Sequence, residues 1–132
     1  MNKNYTMEDE GFKMEIKDDI LFIHYKKGLR FDLDISRKFV AKRLEFLKGK
    51  QYPAVVIDEG LLSMDKPARD YFASDEGIGG VTAVAFIQKT LFSKMLIDFF
   101  IRGSQPKITA RAFDNTNDAI TWLKSIRPIE SA

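Results

Sequence analysis

Apolar and charged positions along the chain switch between a period of two and a helical period. In KMEIKDDILFIHYKKGLR (13–30), Met14 and Ile16 alternate with charged residues, the pattern of a half-buried strand. Asp18-Asp19 and the apolar run Ile20 to Tyr25 follow, predicting a hairpin with a two-residue turn. Between 34 and 48, Ile35, Phe39, Val40, Leu44, Phe46 and Leu47 recur on one helical face, with Arg37, Lys38, Lys42, Glu45 and Lys48 opposite. Asp34 or Ser36 can cap this helix and Gly49 stops it. Ala54 to Ile57 is a short uninterrupted apolar run closed by Asp58, as in a strand buried on both faces. Residues 59–64 (EGLLSM) form a loop. Asp65 caps a short helix to about Ser74, with Pro67 tolerated in its first turn. Asp75 to Gly80 is a glycine-rich connection, and Thr82 to Gln88 a second buried strand. Thr90 caps a helix to Arg102, stopped by Gly103. Ile108 to Phe113 is the last strand. Asn115 or Thr116 caps a final helix with Ala119, Ile120, Leu123 and Ile126 inward, ended by Pro128.

The element order is therefore β-β-α-β-α-β-α-β-α. Strands alternating with helices predict an α/β fold with a mixed, mostly parallel sheet and helices packed on it. Residues 1–12 read as a flexible, acidic lead-in, 13–127 as a single domain, and 128–132 as a tail. The polar N-terminus lacks the apolar core of a secretory signal. The longest apolar stretch, around Met95 to Ile101, is interrupted by Asp98 and is too short to span a bilayer. A cytoplasmic location is the expectation.

Composition narrows the chemistry. The 132 residues include no cysteine and one histidine, His24, which excludes thiolate chemistry and the usual multi-histidine metal sites. The net charge of +2 argues against a dedicated nucleic-acid binder. Phenylalanine is over-used, with 11 residues. Phe22, Phe39, Phe46, Phe86 and Phe113 fall on the predicted core, whereas Phe92, Phe99 and Phe100 crowd one helix.

Each candidate constellation has a plain structural alternative. His24 has no serine or threonine motif to serve as a base, so it reads as structural or solvent-facing. Gly77, Gly79 and Gly80 follow a helix and precede a strand, the reverse of a phosphate loop, and read as a flexible connection. Asp58, Glu59 and Asp65 gather beyond the carboxyl end of the central strand, where open α/β sheets bind ligands. Asp65 already has a role as a cap, and no metal or other cofactor is expected. Arg37, Lys38, Lys42, Arg43, Lys48 and Lys50 make 36–50 basic, a solvated face without interleaved aromatics for nucleic acid. Arg43 falls on the apolar stripe, so it should snorkel or pair with a carboxylate. In 90–102, Lys94, Asp98 and Arg102 form a ladder and apolar residues occupy the rest of the circumference. A helix on a sheet buries one side, so Phe92, Ile97, Phe100 and Ile101 are expected at an interface unless neighbouring helices cover them.

The element order and VVIDEGLLSMD (55–65) resemble the STAS domain, the SpoIIAA-like fold of bacterial anti-sigma-factor antagonists. In that family a buried strand runs into Met-Asp-Ser-Ser-Gly, and the serine after the aspartate is phosphorylated by a partner kinase that doubles as the anti-sigma factor. The ending ARAFDNTNDAITWL (110–123) is similar to that of a STAS-like bacterial family of uncharacterised function. Met64-Asp65 matches the motif, but Lys66 stands at the phosphoryl-accepting position. A cation at a helix N-terminus is electrostatically opposite to a phosphate there. Ser63 is the displaced alternative acceptor.

The resemblance implies a non-catalytic regulatory module working through protein contacts, without the usual phosphoserine switch. Its binding loop would carry Asp58, Glu59, Ser63, Asp65, Lys66 and Arg69, and its partner would be another protein or a second copy. The alternative is a binder of a lipid or other small apolar ligand, because STAS-like folds resemble the SEC14-type lipid carrier.

Overall fold

Six strands build the central sheet of the computed structural model, which describes residues 5–126. They are β1 (Tyr5–Glu8), β2 (Phe12–Lys17), β3 (Ile20–Tyr25), β5 (Tyr52–Asp58), β7 (Val81–Ile87) and β8 (Thr109–Phe113). Their spatial order is β1-β2-β3-β5-β7-β8. The first three pair antiparallel and the rest parallel, giving the mixed sheet expected from the alternating pattern. Asp18 and Asp19 both have positive φ, 53° and 62°, as a two-residue primed turn requires. The lead-in expected to be flexible contributes β1, with Tyr5 opposite Ile16 and Met7 opposite Met14. It escapes the sequence pattern because an edge strand buries almost nothing: of its four residues only Met7 is even half-buried. The tail from 128 lies outside the described residues.

Two two-residue strands, β4 (Arg30–Phe31) and β6 (Ser63–Met64), pair in a separate small parallel sheet. They are too short to carry a period: β6 lies within 59–64, read as a loop, and β4 just before the first helix, where the pattern assigns no element. Helix α1 (Leu33–Leu47) starts earlier than expected. Its cap is Asp32, whose extended backbone lets Oδ1 accept from Ile35 N at 2.8 Å. Ser36 lies inside the helix, fully buried, donating to the Asp32 carbonyl at 2.6 Å.

The helices divide unequally between the sheet faces. Helices α1, α2 (Lys66–Ala73) and α3 (Leu91–Asp98) cover one face. There Phe31, Phe39 and Phe72 join Tyr25 and Phe12 in an edge-to-face aromatic cluster, with centroids from 4.5 Å for Phe12–Phe39 to 5.9 Å for Phe39–Phe72. Helix α4 (Thr116–Ser125) lies on the other face, its Ala119 and Leu123 on Ile20, Val55, Ala85 and Ile87. Ile126, expected inward, sits just past the helix end and is exposed.

Helix α3 does not stop at Gly103. It passes into a π-helical turn, Phe99–Ser104, closed by Gln105 in the left-handed region at φ 50°. No helix among the described residues is long and apolar enough to cross a membrane.

Candidate functional site

The predicted binding loop begins at the carboxyl end of β5. Asp58 Oδ1 accepts from Gly60 N at 2.8 Å and Leu61 N at 2.6 Å, which folds the chain back after the strand. Asp65 caps α2, accepting from Ala68 N at 3.0 Å. The two carboxylates are thus each committed to backbone donors and form no acid–base pair. Among the described residues no group of three or more histidine, aspartate or glutamate side chains is placed to hold a metal ion.

Glu59 turns to the other sheet face. His24 lies between two carboxylates there, Nδ1 3.1 Å from Glu59 and Nε2 3.3 Å from Glu15. A neutral imidazole has one N–H and can donate to only one of them, whereas an imidazolium donates to both. His24 therefore ties β2 to the loop after β5. A groove between the β2–β3 hairpin and α4 is lined by Glu15, Phe22, His24 and Ile120.

Ser63 is half-buried in β6, opposite Arg30. Lys66 occupies the first helical position of α2 and pairs with Asp70 at 2.6 Å on the exposed side. Arg69 donates from Nη1 to the Met64 carbonyl at 2.7 Å, and its guanidinium lies over the Phe99 ring, 5.3 Å from the centroid. Ser104 donates to Asp70 at 2.7 Å. These contacts join the loop, α2 and the π-helical turn into one surface.

Helix α3 presents a different face from the one expected. Ile97 and Phe100 are buried at 9% and 8% exposure, and Phe100 packs edge-on against Phe86 at 5.5 Å. Ile101 is half-buried. Of the predicted interface residues only Phe92 is exposed. The outward apolar residues are Leu91 (84%), Phe92, Met95 and Phe99. The physical reason lies at the two ends of the helix. A reciprocal cap at Thr90, with Ser93 buried beneath it, fixes the entry. The π-helical turn rotates Phe100 onto the sheet. A helix apolar on almost all sides carries no sequence signal for its rotation.

Arg43 corrects a second expectation. It does not snorkel, and it pairs with no carboxylate among the described residues. At 3% exposure, it donates from Nη2 to the Gly77 carbonyl at 2.5 Å and from Nε to the Gly79 carbonyl at 3.1 Å. Burial depresses its pKa to about 10, partly offset by Tyr25 and Tyr71. The glycine segment read as a flexible connection is instead closely packed, since a Cβ on Gly77 would lie 1.9 Å from the Tyr71 carbonyl oxygen.

Beside Arg43 the helices leave a cavity of about 90 Å³ against the sheet. Its wall is mainly apolar, including Val56, Val84, Leu96 and Phe100, with Tyr25, Asp58 and Ser93 as polar members. The Tyr25 phenol is held neutral well above its ordinary range, first by burial. A pocket for a drug-sized ligand measures roughly 300–1,000 Å³, so this cavity is well short of one for a lipid.

The chain belongs to the family described as a domain of unknown function, DUF7793, whose family model matches residues 14–127. No curated protein matches it. Among solved structures it is similar to an uncharacterised DUF3478-family protein from Shewanella loihica PV-4, described as having a SpoIIAA-like fold. The TM-score is 0.52 at 20% identity, covering 93% of this chain and 98% of the other. The SpoIIAA-like architecture expected from the resemblance is the architecture of this chain.

Proposed function

We propose that this DUF7793 chain is a non-catalytic binding module, regulatory in role, that docks another protein on the surface made by residues 59–69, α2 and the outward side of α3. One observation carries the reading. Leu91, Phe92, Met95 and Phe99 form an exposed apolar row, and the Arg69 contact joins that row to the loop where the SpoIIAA-like resemblance puts regulation. Exposed apolar patches of this kind mark protein contact sites. A lipid-carrier role is disfavoured by the small cavity.

The module works without the usual phosphoserine switch, because the accepting position is Lys66, paired with Asp70. The test is affinity capture from the native host together with light scattering, for the parent chain, Met95→Glu and Phe99→Asp, with Lys17→Glu as a control on the other sheet face. A specific partner, or a dimer, that is lost in both α3 variants and kept by the control is the expected result. A strict monomer whose captured proteins are the same in all four chains would overturn the proposal.

A further inference from the structure

The cavity beside Arg43 contains donors that no described residue uses. Arg43 has five N–H groups, and the two hydrogen bonds to glycine carbonyls engage Nε and Nη2. Neither Arg43 Nη1 nor the Tyr25 hydroxyl hydrogen-bonds to another described residue. No fully buried polar side-chain atom among the described residues lacks a partner, so both atoms are reached by solvent-sized space, and both residues line the cavity. Arg43 and Tyr25 are nevertheless at least nine-tenths buried. No carboxylate of a described residue lies within ion-pair distance of Arg43. A buried guanidinium without an anion, facing an apolar hollow, is an arrangement that an anion of matching size completes.

We propose that this cavity binds a short-chain monocarboxylate, its carboxylate accepting from Arg43 and the Tyr25 hydroxyl and its alkyl end resting on Val56, Val84 and Phe100. Size sets the class. A cavity of about 150 Å³ holds benzene, so about 90 Å³ suits a molecule of roughly four or five non-hydrogen atoms, the size of acetate or propionate. The site is separate from the docking surface, and its occupancy does not depend on that reading.

The experiment is an NMR titration of the intact chain with propionate, following the Arg43 Nε–Hε resonance, with propionamide as the neutral control of the same shape. Tyr25→Phe is the variant of choice, because it deletes a hydroxyl that no described residue engages and keeps the ring in the aromatic cluster. The expected result is a saturable Arg43 shift with propionate, binding at least tenfold weaker with propionamide, and several-fold weaker propionate binding in Tyr25→Phe. An Arg43 resonance that does not respond to propionate, equal binding of the amide, or an unchanged affinity in Tyr25→Phe would each overturn the assignment.

Discussion

The Arg43 guanidinium and the Gly77 carbonyl oxygen meet at 2.5 Å inside the protein, joining the middle of α1 to the connection between α2 and β7. A second bond, to Gly79, makes the guanidinium a two-point clamp on a segment without regular structure. Replacing Arg43 with methionine keeps most of the apolar stem but leaves both carbonyls without their donor. Buried unsatisfied groups of this kind cost about 1–3 kcal/mol each. Arg43→Met is therefore expected to lose about 2–4 kcal/mol in urea unfolding, and a variant as stable as the parent would show that the clamp contributes nothing.

Packing distinguishes Gly77 in that segment from Gly103 in the π-helical turn. A methyl group on Gly77 would collide with the Tyr71 carbonyl and the Phe72 backbone, whereas one on Gly103 meets nothing within 4 Å. Backbone cannot yield as a flexible side chain does. Gly77→Ala should lose about 3 kcal/mol or more, while Gly103→Ala stays within about 0.5 kcal/mol of the parent. Thermal unfolding of the pair decides it, and similar midpoints would contradict the packing described.

Outward and inward residues of α3 and its π-helical turn make a third contrast. Ile97→Ala and Phe100→Ala remove buried side chains and are expected to cost about 2–5 kcal/mol. Leu91→Ala and Met95→Ala remove exposed ones and should change stability by less than about 0.5 kcal/mol. Chemical denaturation of the four variants checks the rotation of the helix. A large loss at Leu91 with none at Ile97 would restore the face expected from sequence.

What the sequence revealed and what it hid have physical causes. The β2–β3 hairpin, β5 and β7 were legible because burial imposes a period of two, or an unbroken apolar run, on strands of six or seven residues. The strand β1 was hidden because Tyr5 and Thr6 face solvent at the sheet edge. The rotation of α3 was hidden because a nearly all-round apolar helix has no phase to read. The partners of Arg43 were hidden for another reason: they are backbone carbonyls, which leave no trace in side-chain identity. Within the predicted loop, Asp65 as a cap was legible from Asp-Lys-Pro, while the contact of Arg69 with Phe99, some thirty residues on, needed the fold.

Alkaline stability should report on Tyr25. Burial raises its pKa above the ordinary value, with Arg43 opposing and Asp58 reinforcing the shift. Above about pH 10 the unfolded chain gives up this proton while the folded chain keeps it, so the folded state binds more protons and stability falls as pH rises. Arg43 acts in the opposite sense. Its folded pKa of about 10 lies below the ordinary 12.5, so over that interval the unfolded chain binds more protons and stability rises with pH. Tyr25→Phe removes only the falling contribution. Between about pH 9 and pH 11 its urea midpoint should climb relative to the parent's, and parallel curves would rule out a buried neutral phenol.

Phosphorylation is the remaining point, since the resemblance places a switch where this chain has Lys66. The amide of Ala68 in the first turn of α2 is taken by the Asp65 carboxylate, and Lys66 is held by Asp70 on the outside. Ser63, the nearest hydroxyl upstream, is half-buried in a strand pair with Arg30. A phosphate there would bring a charge of about −1.5 to −2 to a position two residues from Asp65, working against a cap worth roughly 1 kcal/mol. Incubation with ATP and an extract of the native host, followed by phosphopeptide mapping, should therefore leave residues 59–74 unmodified. Asp65→Ala, which removes the cap, should cost about 0.5–2 kcal/mol. Stoichiometric phosphate on Ser63 would mean that the switch has moved upstream and that the loop opens far enough to present the hydroxyl to a kinase.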